Sequence, residues 1–379
     1  MSVEKPPAGE LTELRSRGKI DLKGVMLEGR ALIALVVIVV IFTSLSDNYL
    51  TGTNLIVMTR HVAVNAILAL GMLMVILHGG IDLSVGSTVG LSGVVAGALM
   101  QGLRIPALDL VAYPAVWVVV VCSLVVGSIV GLINGVLVMK FRVAPFVATL
   151  GMLYVARGVA MLLADGKTFP RLQGSPELGN TGFRVIGLGN FLGVPMGVWI
   201  MVAFAAIATV ILTRMPFGRW LYAVGGNQRA AELSGVPVKK VITRVYVLAG
   251  FAAAAVGLIL ASELTAATPQ TGESFELNAI AAVVIGGAAL SGGRGTVRGT
   301  LIGAFVIGFL SDGLVIVGVS TFWQMVIKGF VIIAAVAIDQ FQQKLKRAGR
   351  AGVVPSDEVS GPPAIQIPPT VQMAGRATA

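Results

Sequence analysis

Apolar runs long enough to cross a bilayer follow one another from Ala31 to Ile338, separated by short polar breaks. A hydrocarbon core about 30 Å thick asks for about 20 apolar residues per helix. Inside it every backbone N–H and C=O must be paired, so only helices or a closed barrel can span. A barrel needs short alternating strands, and these runs are long and uniformly apolar. The expected fold class is therefore all-α: a polytopic membrane protein of about ten transmembrane helices with Gly-broken segments. The 379 residues are 56% hydrophobic and only 12% charged, which excludes a soluble globular domain. The 48 glycines suit helices that pack backbone to backbone in lipid.

Residues 1–30 are polar and basic, with Pro6 and Pro7, and read as a disordered cytoplasmic tail. The first apolar run follows this charged lead and reads as a retained span, not a cleaved signal. Spans are expected at 31–45, 54–77, 111–138, 146–163, 196–212, 245–260, 278–290, 300–317 and 321–338. A further span continues from the Gly-rich break at 78–87 to about Met100. Residues 31–338 thus form the transmembrane domain, and 339–379 a basic, then Pro-rich, disordered tail. Ten spans put both termini inside, and the basic loops then fall on the cytoplasmic face. Only the 164–195 loop, with Lys167, Arg171 and Arg184, lies outside against that rule. The net charge of +10 accordingly records topology, not a nucleic-acid partner. A single cysteine, Cys122, allows no intramolecular disulfide.

Pro216 to Lys240, PFGRWLYAVGGNQRAAELSGVPVKK, is the long polar stretch in mid-chain. Short helices are legible in it. Asn227 suits an N-cap, Gln228 to Ser234 form about two turns, and Gly235 suits the left-handed residue that ends a helix. Gly225 and Gly226 just before allow a sharp turn. Arg214, Arg219, Arg229, Lys239, Lys240 and Arg244 make the stretch basic and assign it to the cytoplasmic side. With its small residues it reads either as a compact docking surface or as an ordinary solvated loop.

An internal echo runs through the chain. Asn65-Ala66-Ile67 recurs as Asn278-Ala279-Ile280, and at the same offset Gly79-Gly80 matches Gly292-Gly293, Gly86 matches Gly299 and Gly90 matches Gly303. Repeats with Gly-interrupted segments in matching places flank the substrate path of many transporters, although abundant glycine also matches by chance.

No catalytic motif is legible: there is no G-x-x-x-x-G-K-[ST] loop, no H-E-x-x-H, no Cys/His cluster and no G-x-S-x-G. Neither a metal site nor a cofactor is expected on this chain. Polar groups inside spans are then the informative ones, because charge at bilayer depth is costly. Arg60 and His61 either snorkel to the outer interface or line a path. Asp82, two residues before Ser84 at the Gly-rich break, either caps the following span or shapes the path. Arg157 and Lys328 lie deeper and need a partner, Asp312 or a backbone carbonyl, or else meet a solute. Asn65, Asn134, Asn278 and Gln324 suit a polyol in transit or hydrogen bonds between helices. The candidate path residues are Asn65, Asp82, Ser84, Asn134, Arg157 and Asn278.

The run FGRWLYAVGGNQRAAELSGV resembles the cytoplasmic coupling loop of the monosaccharide-type ABC importer permeases, the ribose/xylose/arabinose/galactose group. GMLMVILHGGIDLSVGSTVGLSG, PFVATLGMLYVARG, NAIAAVVIGGAALSGGRGT and FWQMVIKGFVIIAAV resemble further stretches of that family, so the likeness covers most of the membrane region. It implies an inner-membrane permease subunit that pairs as a homodimer and moves a monosaccharide or related polyol by alternating access. A periplasmic sugar-binding protein would deliver the solute, and a cytoplasmic ABC ATPase would bind ATP and Mg and supply the work. In that family the loop sits in a groove of the ATPase, which assigns coupling to Arg219, Gly225, Gly226, Asn227, Ala230, Ala231, Glu232, Leu233, Ser234 and Gly235. The alternatives are an ion-coupled secondary transporter using Asp82, Asp312 and His61, or an ABC permease for branched-chain amino acids.

Overall fold

A computed structural model describes residues 29–105 and 110–351. Nearly all of the expected N-terminal tail, the tip of the loop after Met100 and the Pro-rich tail lie outside these residues. The first helices are α1 (Arg30–Leu45), α2 (Gly52–Leu77), α3 (Val85–Met100), α4 (Val116–Met139), α5 (Pro145–Ala164), α6 (Val185–Leu188) and α7 (Met196–Thr213). They are followed by α8 (Pro216–Gly226), α9 (Gln228–Leu233), α10 (Val238–Glu263), α11 (Phe275–Ile285), α12 (Val297–Ile316) and α13 (Thr321–Ala351). Six of them, α2, α4, α5, α7, α10 and α12, are long and apolar enough to cross a membrane. The apolar stretches of α1, α3, α11 and α13 are shorter. Small antiparallel ribbons join β1 (Leu103–Ile105) to β2 (Leu110–Ala112), β3 (Phe169–Pro170) to β6 (Ala266–Ala267), and β4 (Asn190–Phe191) to β5 (Val194–Pro195).

The helices sort by depth. α2 and α10 form the centre: 83% of the apolar window of α2 is buried, against 22% of that of α7. α4, α5 and α7 turn apolar side chains such as Trp117, Leu162 and Ile207 outward, as lipid-facing helices do. Glycine explains the close centre. Gly127, Gly131 and Gly135 recur every fourth residue on α4 and meet the backbone of α10 at Gly250, Tyr246 and Thr243. A Cβ on Gly135 would lie 2.8 Å from the Thr243 Cα, and one on Gly127 2.5 Å from the Gly250 carbonyl oxygen. Small residues at this spacing let two backbones touch, which replaces the missing hydrophobic drive between helices in lipid.

Helix ends depart from the sequence reading where breakers sit. α4 starts at Val116 instead of Val111, which belongs to β2, because Pro114 denies a helical start to the residue before it. α10 starts at Val238, directly after Pro237, so Lys239, Lys240 and Arg244 occupy its first turns instead of a loop. It also runs on to Glu263, and α11 already includes Glu276, which leaves Glu273 in the connecting loop. α11 stops at Ile285 because Gly286 and Gly287 follow, the latter with φ +91°. α13 does not end at Ile338. Residues 339–348 contain neither glycine nor proline and are rich in Gln, Lys and Arg, so the helix continues to Ala351. The basic start of the expected disordered tail is therefore helical backbone.

Candidate functional site

The mid-chain polar stretch folds as α8 and α9. The Asn227 side chain accepts the Ala230 amide at 3.0 Å and caps α9, and Gly235 follows with φ +83°. Arg229 and Glu232 pair across α9 at 3.2 Å. Ala231 is buried, while Ala230, Glu232, Leu233, Ser234 and Gly235 are exposed. Leu233 is 76% exposed, with Ala230 one turn before it and Ser234 and Gly235 directly after it in the chain. Arg219 is exposed on α8, whose other face buries Phe217, Leu221 and Val224. Gly225 and Gly226 do not make the expected sharp turn. They complete the last turn of α8, and the chain bends at Asn227, which is extended at φ −158°. Glycine at 225 answers a crowded backbone, not a left-handed bend.

That crowding is specific. A Cβ on Gly225 would fall on the Leu77 carbonyl oxygen and within 2.5 Å of the Gly293 amide nitrogen. The Gly293 amide donates to Leu77 O at 2.9 Å, and the Tyr222 hydroxyl donates to Gly295 O at 2.8 Å. Burial pushes the Tyr222 phenol above its ordinary range. The two Gly-Gly pairs of the internal echo therefore meet under α8. Gly79 and Gly292 hold the same backbone angle, φ +86°, and each break joins two helices: α2 to α3 and α11 to α12. Beside this seat lies a cavity of about 450 Å³, walled by His78, Arg142, Gln228, Glu232 and Lys239 among others.

Three of the six candidate path residues come together. Asp82 Oδ1 accepts the Ser84 amide at 2.9 Å and the Ser84 hydroxyl at 2.6 Å. Asn134 on α4 donates to Ser84 Oγ at 2.8 Å. All three are buried. Asp82 thus takes a free amide at the start of α3, as a cap would, although the capping position itself is Ser84. Thr149 on α5 donates to Ile81 O at 3.1 Å. Asn134 Oδ1, Tyr246 Oη and His78 Nε2 are buried without a hydrogen-bond partner among the described residues. Tyr246 gave no signal in the sequence, since a lone tyrosine in an apolar run reads as packing.

The other candidates stand apart. Arg157 on α5 donates to the carbonyl oxygens of Pro269 and, at 3.0 Å, Thr271. Its partner is thus backbone and not Asp312, which instead meets His61 Nδ1 at 2.6 Å. Arg60 lies 4.0 Å from Glu263. Among the described residues no ion pair to Lys328 is found. Asn65 donates to His61 O within its own helix, and Asn278 is half-buried on α11. Neither is hydrogen-bonded to the Asp82 group.

Residues 54–336 match the family model described as branched-chain amino acid transport system / permease component. The chain is 43% identical over 332 residues to the ribose import permease protein RbsC of Escherichia coli K12, covering 88% of this chain and 99% of that one. It is 43% identical over 322 residues to RbsC of Bacillus subtilis, covering 85% and 95%. With the L-arabinose ABC transporter permease protein AraH of Azospirillum brasilense the figures are 32% over 315 residues, 82% and 88%. No solved structure matches. A helical bundle with six apolar helices of spanning length, matched along most of its length by permeases, belongs to that family of membrane transport permease components.

Proposed function

We propose that the chain is the membrane permease subunit of an ATP-driven ABC importer for a monosaccharide or related polyol, acting by alternating access in a bacterial inner membrane. The observation that carries this is the 43% identity across 99% of a ribose import permease. The family description names branched-chain amino acids, but the relatives above are named for ribose and arabinose. Ten spans with both termini cytoplasmic place α8 and α9 inside, where a partner ATPase binds them. That ATPase holds ATP and Mg, and this chain binds no cofactor. Two copies pair to form the pore, and a periplasmic binding protein hands over the sugar. Exposed Leu233, with Ala230, Ser234 and Gly235 beside it in the chain, would be seated in a socket on the ATPase. Asp82, Ser84 and Asn134 line the path when it opens.

Reconstitution in lipid vesicles tests this. With ATPase and binding protein present, labelled ribose or arabinose should accumulate on ATP, and excess leucine should not compete. The permease alone should accumulate nothing under a proton or sodium gradient. Replacing Glu232 and Gly235 should abolish ATP-driven uptake even with an ion gradient kept. Uptake by the lone chain on a gradient would instead establish a secondary transporter.

A further inference from the structure

α8 ends where three stretches of backbone meet. Gly225 leaves no room for a Cβ between the Leu77 carbonyl, at the end of α2, and the Gly293 amide, between α11 and α12. Those two groups are hydrogen-bonded to each other, so Gly225 covers a bond that joins the two glycine breaks. Tyr222 lies one turn earlier, on the same face of α8. Its hydroxyl holds Gly295 O, at the far end of the second break. Gly79 and Gly292, both at φ +86°, bring the breaks together: a Cβ on Gly292 would lie 2.9 Å from the Gly79 amide nitrogen.

Contacts of this kind transmit displacement. A long side chain absorbs a small push by changing rotamer, whereas close-packed backbone has no such freedom and moves between discrete arrangements. We infer that Tyr222 and Gly225 are positioning residues that tie the 216–237 segment to both glycine breaks at once. A push on α9 then reaches the α2–α3 pair and the α11–α12 pair in the same step. Gly225 supplies the seat on the first break and on Gly293; Tyr222 secures the second. The inference rests on the proposed function, in which an ATPase bears on α9.

The test uses the complete importer in vesicles: permease, ATPase and binding protein. Tyr222→Phe removes one hydroxyl and keeps the ring. Measured are the ATPase retained on the permease, the ATP hydrolysed, and the sugar imported per ATP. Tyr222→Phe should retain and run the ATPase while sugar per ATP falls about fivefold, the factor one lost hydrogen bond carries. Gly225→Ala should lower it further. Thr209→Val, which deletes a hydroxyl bonded within α7, should leave the ratio unchanged. Amide exchange adds a readout that packing alone does not move. On nucleotide binding the Gly80 amide and the Ala289 amide, which donates to Arg294 O beside Gly295, should respond together in the parent, and in Tyr222→Phe the Ala289 response should weaken while that of Gly80 stays. If the parent does not hold the ATPase at α9, the proposed function falls and this inference with it. If it does, and Tyr222→Phe keeps full sugar per ATP with both amides still responding together, the inference alone falls.

Discussion

The two ends of the bundle are held by different means. At the α8–α9 end, main chain meets main chain: Gly225 on Leu77 O and Gly293 N, Gly292 on the Gly79 amide. At the opposite end, side chains reach across gaps: His61 to Asp312, Arg60 to Glu263, Arg157 to two loop carbonyls. Backbone seats tolerate no added atom and admit few intermediate positions. Side-chain ties are individually weaker, exchange partners and answer to salt and pH. The bundle thus sets a stiff end, held by main chain, against a more yielding one held by side chains.

The largest expected effect attacks the stiff end. Gly293→Val combines a β-branched residue at φ +73° with a Cβ 3.1 Å from the Gly226 amide nitrogen, and should cost about 3 kcal/mol of stability. Thermal unfolding in detergent measures it; an unchanged midpoint would erase the contrast. Next comes the tie that most resembles a seat. Arg157→Leu leaves the Pro269 and Thr271 carbonyls without their donor and should cost about 2 kcal/mol. Arg157→Lys should recover only part of it, because both bonds leave one terminal nitrogen and the lysine side chain is one bond too short to place its ammonium there. The exposed tip is weaker. Asn227→Ala should cost α9 about 1 kcal/mol, seen as faster amide exchange at Ala230, with the α8 seat unaffected. Smallest is Asp312→Asn, which keeps a hydrogen bond to His61 and removes a pairing whose partner is half exposed. It should cost about 0.5 kcal/mol and less still in high salt. A loss as large as that of Arg157→Leu would mean that the opposite end is also rigidly locked.

The helices were legible because lipid leaves the backbone little choice, and so were the Asn227 cap and the Gly235 stop, which rest on local chemistry alone. Gly225 was misread for a physical reason. A glycine in sequence announces freedom of φ or closeness of approach, and nothing local says which. Asp82, Ser84 and Asn134 were each marked by polarity in an apolar setting, yet only the fold brings Asn134 on α4 to the break before α3. Arg157 was marked as needing a partner, with two kinds allowed. The choice of carbonyls over Asp312 depends on a loop more than a hundred positions away in the chain. The echo of Gly79 in Gly292 was visible as letters, and its shared backbone angle required the structure.

The glycine ladder of α4 has a mechanical corollary. With Gly127, Gly131 and Gly135 laid against α10 over several turns, the two helices cannot slide or twist independently without forcing backbone through backbone. They should travel as a single plank. Since α10 is entered straight from the α9 segment through Pro237, a tilt begun at its first turn would sweep the whole plank and carry Asn134 with it.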